Sequence, residues 1–197
     1  TLVTDLSLAL EKASQLLIVG NSGTGKSSLL RAIAGLWSEG KGEIIRPPMK
    51  EVYFLPQRPY CTLGPLRDQL TYPFITLDEF DGEEENLMEK LKEKEFTLEE
   101  DKILLDILDE VGLSTLAERM GSQGLNNGNQ QEKEGGKELS KLEKQRRGLN
   151  VVKDWSAILS LGEQQRVAFG RVLFNKPYLA VLDEATSALD LSSEERV

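Results

Sequence analysis

The residues between Gly20 and Ser27 carry the spacing of a phosphate-binding loop, in which a glycine-rich turn ends in a lysine and a hydroxyl residue. Glycines let successive backbone N–H groups point inward around a phosphate, because a side chain would obstruct that approach. Lys26 can reach the β- and γ-phosphates of a nucleotide, and the Ser27 hydroxyl can ligate Mg²⁺. We expect nucleotide contacts from Gly20, Asn21, Ser22, Gly23, Thr24, Gly25, Lys26, Ser27 and Ser28.

The segments on either side of this loop are of the kind that position it. An apolar run over 15–19 predicts a strand buried on both faces, and apolar residues at helical spacing after Lys26 predict a helix. The positive end of that helix would face an anionic ligand. A glycine- and serine-rich turn without function is the alternative, and the order strand, loop, helix argues against it.

A second candidate for chemistry is the acidic pair Asp183 and Glu184, which follows an apolar strand predicted over 178–182. Phosphoryl transfer requires a carboxylate near the metal ion and a group that positions the attacking water. We expect Asp183 to help hold Mg²⁺ and Glu184 to act as general base. Taken alone, such a pair would be read as the N-terminal cap of a helix, so this prediction depends on the glycine loop.

The segment from Asp154 to Arg166 narrows the class of nucleotide-binding protein. Ser160 and Gly162 lie just ahead of a predicted helix, where a hydroxyl and free N–H groups form an anion site. The segment resembles the ABC signature, usually written LSGGQ, with Leu161 in place of the first glycine of the pair and Glu163 in place of the glutamine. An ordinary helix N-cap at Ser160 is compatible with this interpretation.

The resemblance to the ATP-binding domain of ABC transporters implies further roles. Gln57, after a strand predicted over 52–55, is similar to the glutamine that contacts Mg²⁺ and the attacking water, and residues 187–190 are similar to the D-loop. ATP and Mg²⁺ are the implied ligands, with Lys26, Gln57 and Glu184 as the catalytic set. Two such domains pair head to tail, so Ser160, Gly162 and Glu163 of one copy would meet the ATP of the other, and an isolated domain is expected to be a weak ATPase.

Segments 55–60, 66–73 and 154–156 most resemble subfamily D, the peroxisomal fatty-acyl transporters and their bacterial and plastid relatives. That resemblance implies a transmembrane domain in the same parent polypeptide, with the ATPase on the cytosolic or stromal side of the membrane. It also implies an adenine-stacking aromatic residue before Thr1 and a switch histidine after Val197, so we expect a fragment of a longer chain. A non-transport ABC ATPase and a binding-only module are the alternatives, and intact Lys26 and Glu184 argue against the second.

Composition excludes two other classes of site. The chain has no histidine and one cysteine, Cys61, which excludes a zinc cluster and an internal disulfide. The net charge of −9 comes from one segment, since twelve acidic residues and three lysines lie within 78–101 and the remaining charges balance. Nothing resembles the basic stripe of a nucleic-acid-binding protein, so no nucleic-acid partner is expected.

Strands alternating with helices predict an α/β fold of the P-loop NTPase (RecA-like) type with a mostly parallel sheet. The resemblance adds an α-helical subdomain and an N-terminal antiparallel β portion, for which alternation over 2–10 provides a candidate strand. We expect one domain over 1–197, with an ATP-binding core from 1–58 and 177–197 and a helical subdomain over 59–176.

Two inserts are expected within the helical subdomain, near 78–101 and 122–148. The second is rich in polar residues and glycine, so we predict a solvated segment that is partly helical over 138–147. At the end of the first insert, Thr97 and Glu100 occupy the positions of a capping box ahead of an amphipathic helix, and Gly112 is placed to end that helix.

Overall fold

The computed structural model describes residues 4–38, 40–73, 96–123 and 139–184. The described residues divide into a first unit, from the segments up to Leu55 and Pro177–Asp183, and a second unit, from Pro56–Lys176 and Glu184. The first unit contains α1 (Lys26–Ala34), a 3₁₀ turn (Met49–Glu51), β1 (Val52–Leu55) and β4 (Leu179–Leu182). The second unit contains β2 (Leu63–Pro65), α2 (Leu66–Thr71), α3 (Leu98–Glu110), α4 (Leu116–Gln123), α5 (Lys141–Leu149), β3 (Val152–Asp154), α6 (Trp155–Ile158) and α7 (Leu161–Asn175).

The first unit is built on two parallel strands that are distant in sequence. β1 and β4 pair from Val52 opposite Leu179 to Leu55 opposite Leu182, and the Asp183 N–H extends the pairing by donating to the Leu55 carbonyl at 2.9 Å. Helix α1 packs against both strands. The predicted α/β fold with parallel strands is confirmed, and the pairing carries the chain directly from β4 to the predicted metal-binding carboxylate.

The strands predicted over 2–10 and 15–19 are not formed in the described part of the chain. Residues 15–19 were expected to be buried on both faces, yet Leu17 is 84% exposed and Val19 is 82% exposed. A strand of that kind requires neighbours that supply ladder hydrogen bonds and cover both faces. The parallel sheet of the described residues contains β1 and β4 alone, and the antiparallel pairing that the structure describes lies in the second unit.

The second unit has a helical core joined to a small antiparallel pair. β2 and β3 pair from Leu63 opposite Asp154 to Pro65 opposite Val152. The fully buried Trp155 donates its indole N–H to the Gly64 carbonyl at 2.8 Å and so attaches this pair to α6. Helix α7 packs against α2 and α3 so closely that a Cβ added at Gly170 would lie 2.8 Å from the Leu70 side chain.

Helix α3 begins and ends as its sequence predicts. The Thr97 hydroxyl accepts from the Glu100 N–H at 3.2 Å, and the Glu100 carboxylate accepts from the Thr97 N–H at 2.8 Å, which completes the predicted capping box. Gly112 adopts a left-handed φ of 72°, and the Leu113 N–H donates to the Leu108 carbonyl at 2.6 Å. This is the bonding pattern of a Schellman motif, which requires a residue that tolerates positive φ.

In the part of the second insert that the structure describes, residues 122–123 and 139–147 are exposed or partly exposed, as expected of a solvated segment, and Gly148 is buried. Helix α5 covers most of the predicted helical stretch; its last residues, Gly148 and Leu149, are buried, and Gly148 lies against Ala117 of α4. At Gly121 and Gly148 the two helices approach through backbone atoms, which no apolar periodicity in the sequence could reveal. Residues 74–95 of the first insert lie outside the described residues, and its final residue, Asp101, is buried in α3.

Asp101 joins three helices of the second unit through two arginines. Its Oδ1 accepts from Arg67 Nη2 at 3.0 Å and its Oδ2 accepts from Arg146 Nε at 2.6 Å. Arg67 is 3% exposed, also donates to Asn150 Oδ1 at 2.8 Å, and lies with Cζ 3.8 Å from the Phe96 ring centroid. A buried guanidinium depends on such a partner, because an unpaired charge in the interior is strongly destabilising.

We therefore expect Asp101→Asn to lower the free energy of unfolding of the chain by about 2 kcal/mol, since the amide removes the charge and one of the two acceptors. Urea unfolding followed by circular dichroism would measure this change. Asp106→Asn is the matched control, because Asp106 is exposed on the same helix. Equal midpoints for the two variants would show that the Asp101 cluster contributes nothing to stability.

Within the described ranges, no helix combines the length and the apolar character needed to cross a membrane.

Candidate nucleotide-binding site

The glycine loop of the first unit has a backbone conformation that its glycines make possible. Gly23 and Gly25 have left-handed φ values of 80° and 93°, and Gly25 is the N-cap of α1. A side chain at either position would be strained, since L-residues rarely adopt this conformation. Residues 20–25 thus form the turn, and Lys26, Ser27 and Ser28 form the first turn of the helix.

The Lys26 ammonium group lies within the curve of this loop. Its Nζ donates to the Gly20 carbonyl at 2.7 Å and to the Asn21 carbonyl at 2.9 Å. Thr24 closes the turn by donating its hydroxyl to the same Asn21 carbonyl at 2.9 Å. An ammonium group has three donors, so these two bonds orient the lysine and leave a donor for an anionic ligand.

Ser27 and Asp183 meet although 156 residues separate them in the chain. The Ser27 hydroxyl donates to Asp183 Oδ1 at 2.7 Å, and Asp183 is 4% exposed. The pairing of β1 with β4 and the packing of α1 on both strands place the two residues together. Hydroxyl and carboxylate oxygens are the ligand types that Mg²⁺ prefers, so this pair suits a magnesium ion beside a nucleotide phosphate.

In the second unit, the structure brings together Gln57 and Glu184. Gln57 Nε2 donates to Glu184 Oε2 at 2.7 Å, and both residues are exposed. Glu184 has a left-handed φ of 48°, which costs a residue with a Cβ about 1–2 kcal/mol. The side chain of buried Gln165 lies 3.5 Å from the Gln57 carbonyl, which links helix α7 to the segment after β1.

Ser160 is the N-cap of α7 and forms a capping box with Glu163. The Ser160 hydroxyl accepts from the Glu163 N–H at 3.2 Å, while Glu163 Oε2 accepts from the Ser160 N–H at 2.9 Å and its hydroxyl at 3.0 Å. Leu161 opens the helix with its side chain 48% exposed, next to Gly162. The ordinary cap predicted for Ser160 is present, at an exposed start of a 15-residue helix.

The predicted residues thus form three groups: Lys26 and Ser27 with Asp183, Gln57 with Glu184, and Ser160 with Gly162 and Glu163. The D-loop segment over 187–190 lies outside the described residues. Sequence reasoning missed Gln165 and Arg119, which contact Gln57 and Glu163 respectively. Neither residue belongs to a local pattern with its partner, so no spacing in the sequence could have identified it.

A comparison with protein families identifies the family of the chain. A family model described as ABC transporter matches residues 3–187. The chain belongs to this family. It is therefore an ATP-binding domain of the ABC transporter type, for which ATPase activity is the general activity, and the resemblance to this family is confirmed.

Related proteins place the chain near subfamily D. It is 44% identical over 193 residues to an uncharacterized ABC transporter ATP-binding protein of Synechocystis, covering 98% of this chain and 22% of the relative. It is 38% identical to the chloroplastic ABC transporter D family member 2 of Arabidopsis thaliana (98% and 27%) and 35% identical to human ATP-binding cassette sub-family D member 3 (98% and 23%). The chain thus spans about a quarter of the length of these relatives.

Solved structures support the same fold. A bacterial Atm1-family ABC exporter with ATP bound superposes with a TM-score of 0.55 at 19% identity, over 89% of this chain and 25% of that one. An inward-facing, metal-chelate type ABC transporter superposes with a TM-score of 0.51 at 20% identity, over 96% and 57%. These likenesses confirm the predicted fold class.

Proposed function

We propose that this chain binds ATP with Mg²⁺ and hydrolyses it to drive the movement of a substrate across a membrane. The observation that carries the proposal is the group formed by Lys26, Ser27 and Asp183, with its 2.7 Å bond between the last two. A cation, a hydroxyl and a buried carboxylate beside the N-terminus of α1 are the groups that a magnesium-bound triphosphate requires. Asn21, Ser22, Thr24 and the loop glycines would supply backbone N–H donors.

Each group has a role toward ATP in this proposal. Ser27, Asp183 and Gln57 would hold Mg²⁺, which supplies charge neutralisation at the phosphate oxygens when bound. Glu184 accepts a proton from the attacking water, whose oxygen forms a bond to the γ-phosphorus as the bond to the bridging oxygen breaks. ADP and phosphate are the products. The hydrogen bond from Gln57 to Glu184 supports this role, since it orients the carboxylate oxygen.

We further propose that two copies pair head to tail, so that Ser160, Gly162 and Glu163 of one copy close on the ATP bound by the other. The exposed N-terminus of α7 supports this, because the first N–H groups of a helix have no intrahelical acceptor and can face an anion. By itself the chain would then hydrolyse ATP weakly. In the proposed division, residues 1–58 and 177–197 bind ATP, and residues 59–176 form the helical subdomain.

The transport role rests on the relatives, which are named as members of ABC transporter family D. We propose a transmembrane domain in the same parent polypeptide, with the ATPase on the cytosolic or stromal side. Carbonate extraction of membranes from the source cells would test this role, and the protein that carries this sequence should remain in the membrane pellet. Its quantitative release into the soluble fraction would instead favour a non-transport ABC ATPase.

Lys26→Ala is expected to weaken the binding of Mg-ATP by at least about tenfold, because it removes a charge-assisted hydrogen bond to phosphate. Isothermal titration calorimetry on the chain would measure the dissociation constant. Lys41→Ala, at an exposed position of the first unit, is the control for the loss of one positive charge. Unchanged affinity in Lys26→Ala would remove the basis of the proposed ATP site.

A further inference from the structure

The carboxylate of Glu163 has two different sets of partners. Its Oε2 is occupied by Ser160, through the N–H at 2.9 Å and the hydroxyl at 3.0 Å. Its Oε1 accepts a hydrogen bond from Arg119 Nη2 at 3.2 Å. Arg119 lies on α4, 44 positions earlier in the chain, and its side chain is 48% exposed while that of Glu163 is 20% exposed.

Glu163 presents an electrostatic problem for the proposed function. If Ser160 and the N-terminus of α7 meet a γ-phosphate, a carboxylate beside them repels that phosphate. Burial raises the pKa of Glu163, but hydrogen bonds from Ser160 and Arg119 and the charge of Arg119 outweigh burial, so the pKa lies below its ordinary value. The carboxylate is therefore ionised at neutral pH, and the repulsion is present unless a cation offsets it.

Arg119 supplies a positive charge in contact with this carboxylate. Its guanidinium engages Oε1, on the side of the carboxylate away from the Ser160 contacts, so one residue both neutralises the charge and fixes the orientation of the capping box. Orientation matters because the carboxylate accepts a hydrogen bond from the Ser160 hydroxyl, and a carboxylate free to rotate would hold the hydroxyl less well.

We propose that Arg119 is a positioning residue for ATP-dependent pairing. Arg119 offsets the charge of Glu163 and so holds Ser160 in position for the γ-phosphate of the ATP bound by a second copy. This inference rests on the proposed function. It assigns a role to α4 that the nucleotide loop does not require: the helix supplies a counter-ion because position 163, in the capping box of α7, is a glutamate rather than a glutamine.

The test measures the ATP concentration that gives half-maximal dimerisation, by analytical ultracentrifugation with Mg²⁺, in a Glu184→Gln background that preserves bound ATP. Arg119→Gln is expected to raise this concentration about three- to fivefold, because the ion pair is half-exposed and its effect is screened by solvent. Arg119→Lys should restore most of the loss, since it keeps the positive charge. Because Arg119 is exposed, Arg119→Gln is expected to melt within a few degrees of the parent.

The double variant separates a positioning role from a general structural one. With Glu163→Gln also present there is no charge to offset, so Arg119→Gln should have almost no further effect on dimerisation. An equal loss in both backgrounds, or dimerisation of Arg119→Gln at the parent's ATP concentration, would overturn the role of Arg119 while leaving the proposed function intact. Failure of the parent to dimerise at saturating ATP would overturn the head-to-tail pairing and this inference with it.

A second readout needs neither ATP nor a dimer. Removal of Arg119 should raise the pKa of the Glu163 carboxyl toward its ordinary value, as measured by carbon-detected NMR titration of the chain. An unchanged pKa would show that Arg119 does not act on Glu163, whatever the dimerisation result.

Discussion

Replacement of Glu184 by glutamine is expected to lower the rate of ATP hydrolysis at least about a hundredfold while leaving the affinity for Mg-ATP within about twofold. The amide cannot accept the proton of the attacking water. It does keep an oxygen that can accept the hydrogen bond now donated by Gln57 Nε2 at 2.7 Å. Binding should therefore persist, since Glu184 is not among the residues proposed to hold the phosphates and the metal ion.

The measurement is single-turnover hydrolysis of radiolabelled ATP by the chain at high concentration, beside a binding titration. Glu110→Gln is the matched control, because it removes the same negative charge at an exposed position at the end of α3. A hydrolysis rate for Glu184→Gln equal to that of the control would refute the assignment of Glu184 as general base. If Glu184→Gln lost affinity for Mg-ATP together with hydrolysis, Glu184 would instead be a residue that contacts the nucleotide.

The second large effect is expected at Gly148, in the contact between α4 and α5. An added Cβ would overlap the Ala117 carbonyl and lie 2.6 Å from the Ala117 carbonyl carbon. The obstacle is helix backbone, which cannot swing aside as a flexible side chain could, so the two helices would have to separate. We expect Gly148→Ala to lower the free energy of unfolding by at least about 3 kcal/mol.

Urea unfolding of Gly148→Ala, followed by circular dichroism, would measure this loss. Arg147→Ala, at the preceding exposed position of α5, should change stability by less than about 0.5 kcal/mol. Gly121→Ala offers an independent test from the facing helix, because its added Cβ would overlap the Lys144 carbonyl. A stable Gly148→Ala protein would show that α4 and α5 pack less closely than described here.

Several features of this chain follow from local sequence because neighbouring residues decide them. Gly23 and Gly25 are needed where the backbone turns left-handed, and the Thr97 hydroxyl and Glu100 carboxylate reach N–H groups three positions away. The family and the α/β class follow from such patterns in their order along the chain. The roles of the nucleotide-contacting residues remain predictions of the same kind.

Local patterns failed where a neighbour in space decides the outcome. The apolar run over 15–19 has the composition of a buried strand, but a strand forms only where another supplies its hydrogen bonds. Conversely, the polar α5 gave little sign of its close approach to α4, because Gly121 and Gly148 each meet the backbone of the facing helix.

Ser27 and Asp183 illustrate both what local sequence decides and what only packing decides. Their residue types and the elements before them could be predicted from the sequence, since a hydroxyl follows Lys26 and a carboxylate follows an apolar run. Their 2.7 Å hydrogen bond could not be predicted, because it depends on the pairing of β1 with β4 and on the packing of α1 against both strands. The same holds for Arg119 and Glu163. They lie in different helices, 44 positions apart in sequence, and form an ion pair only because the fold brings them together.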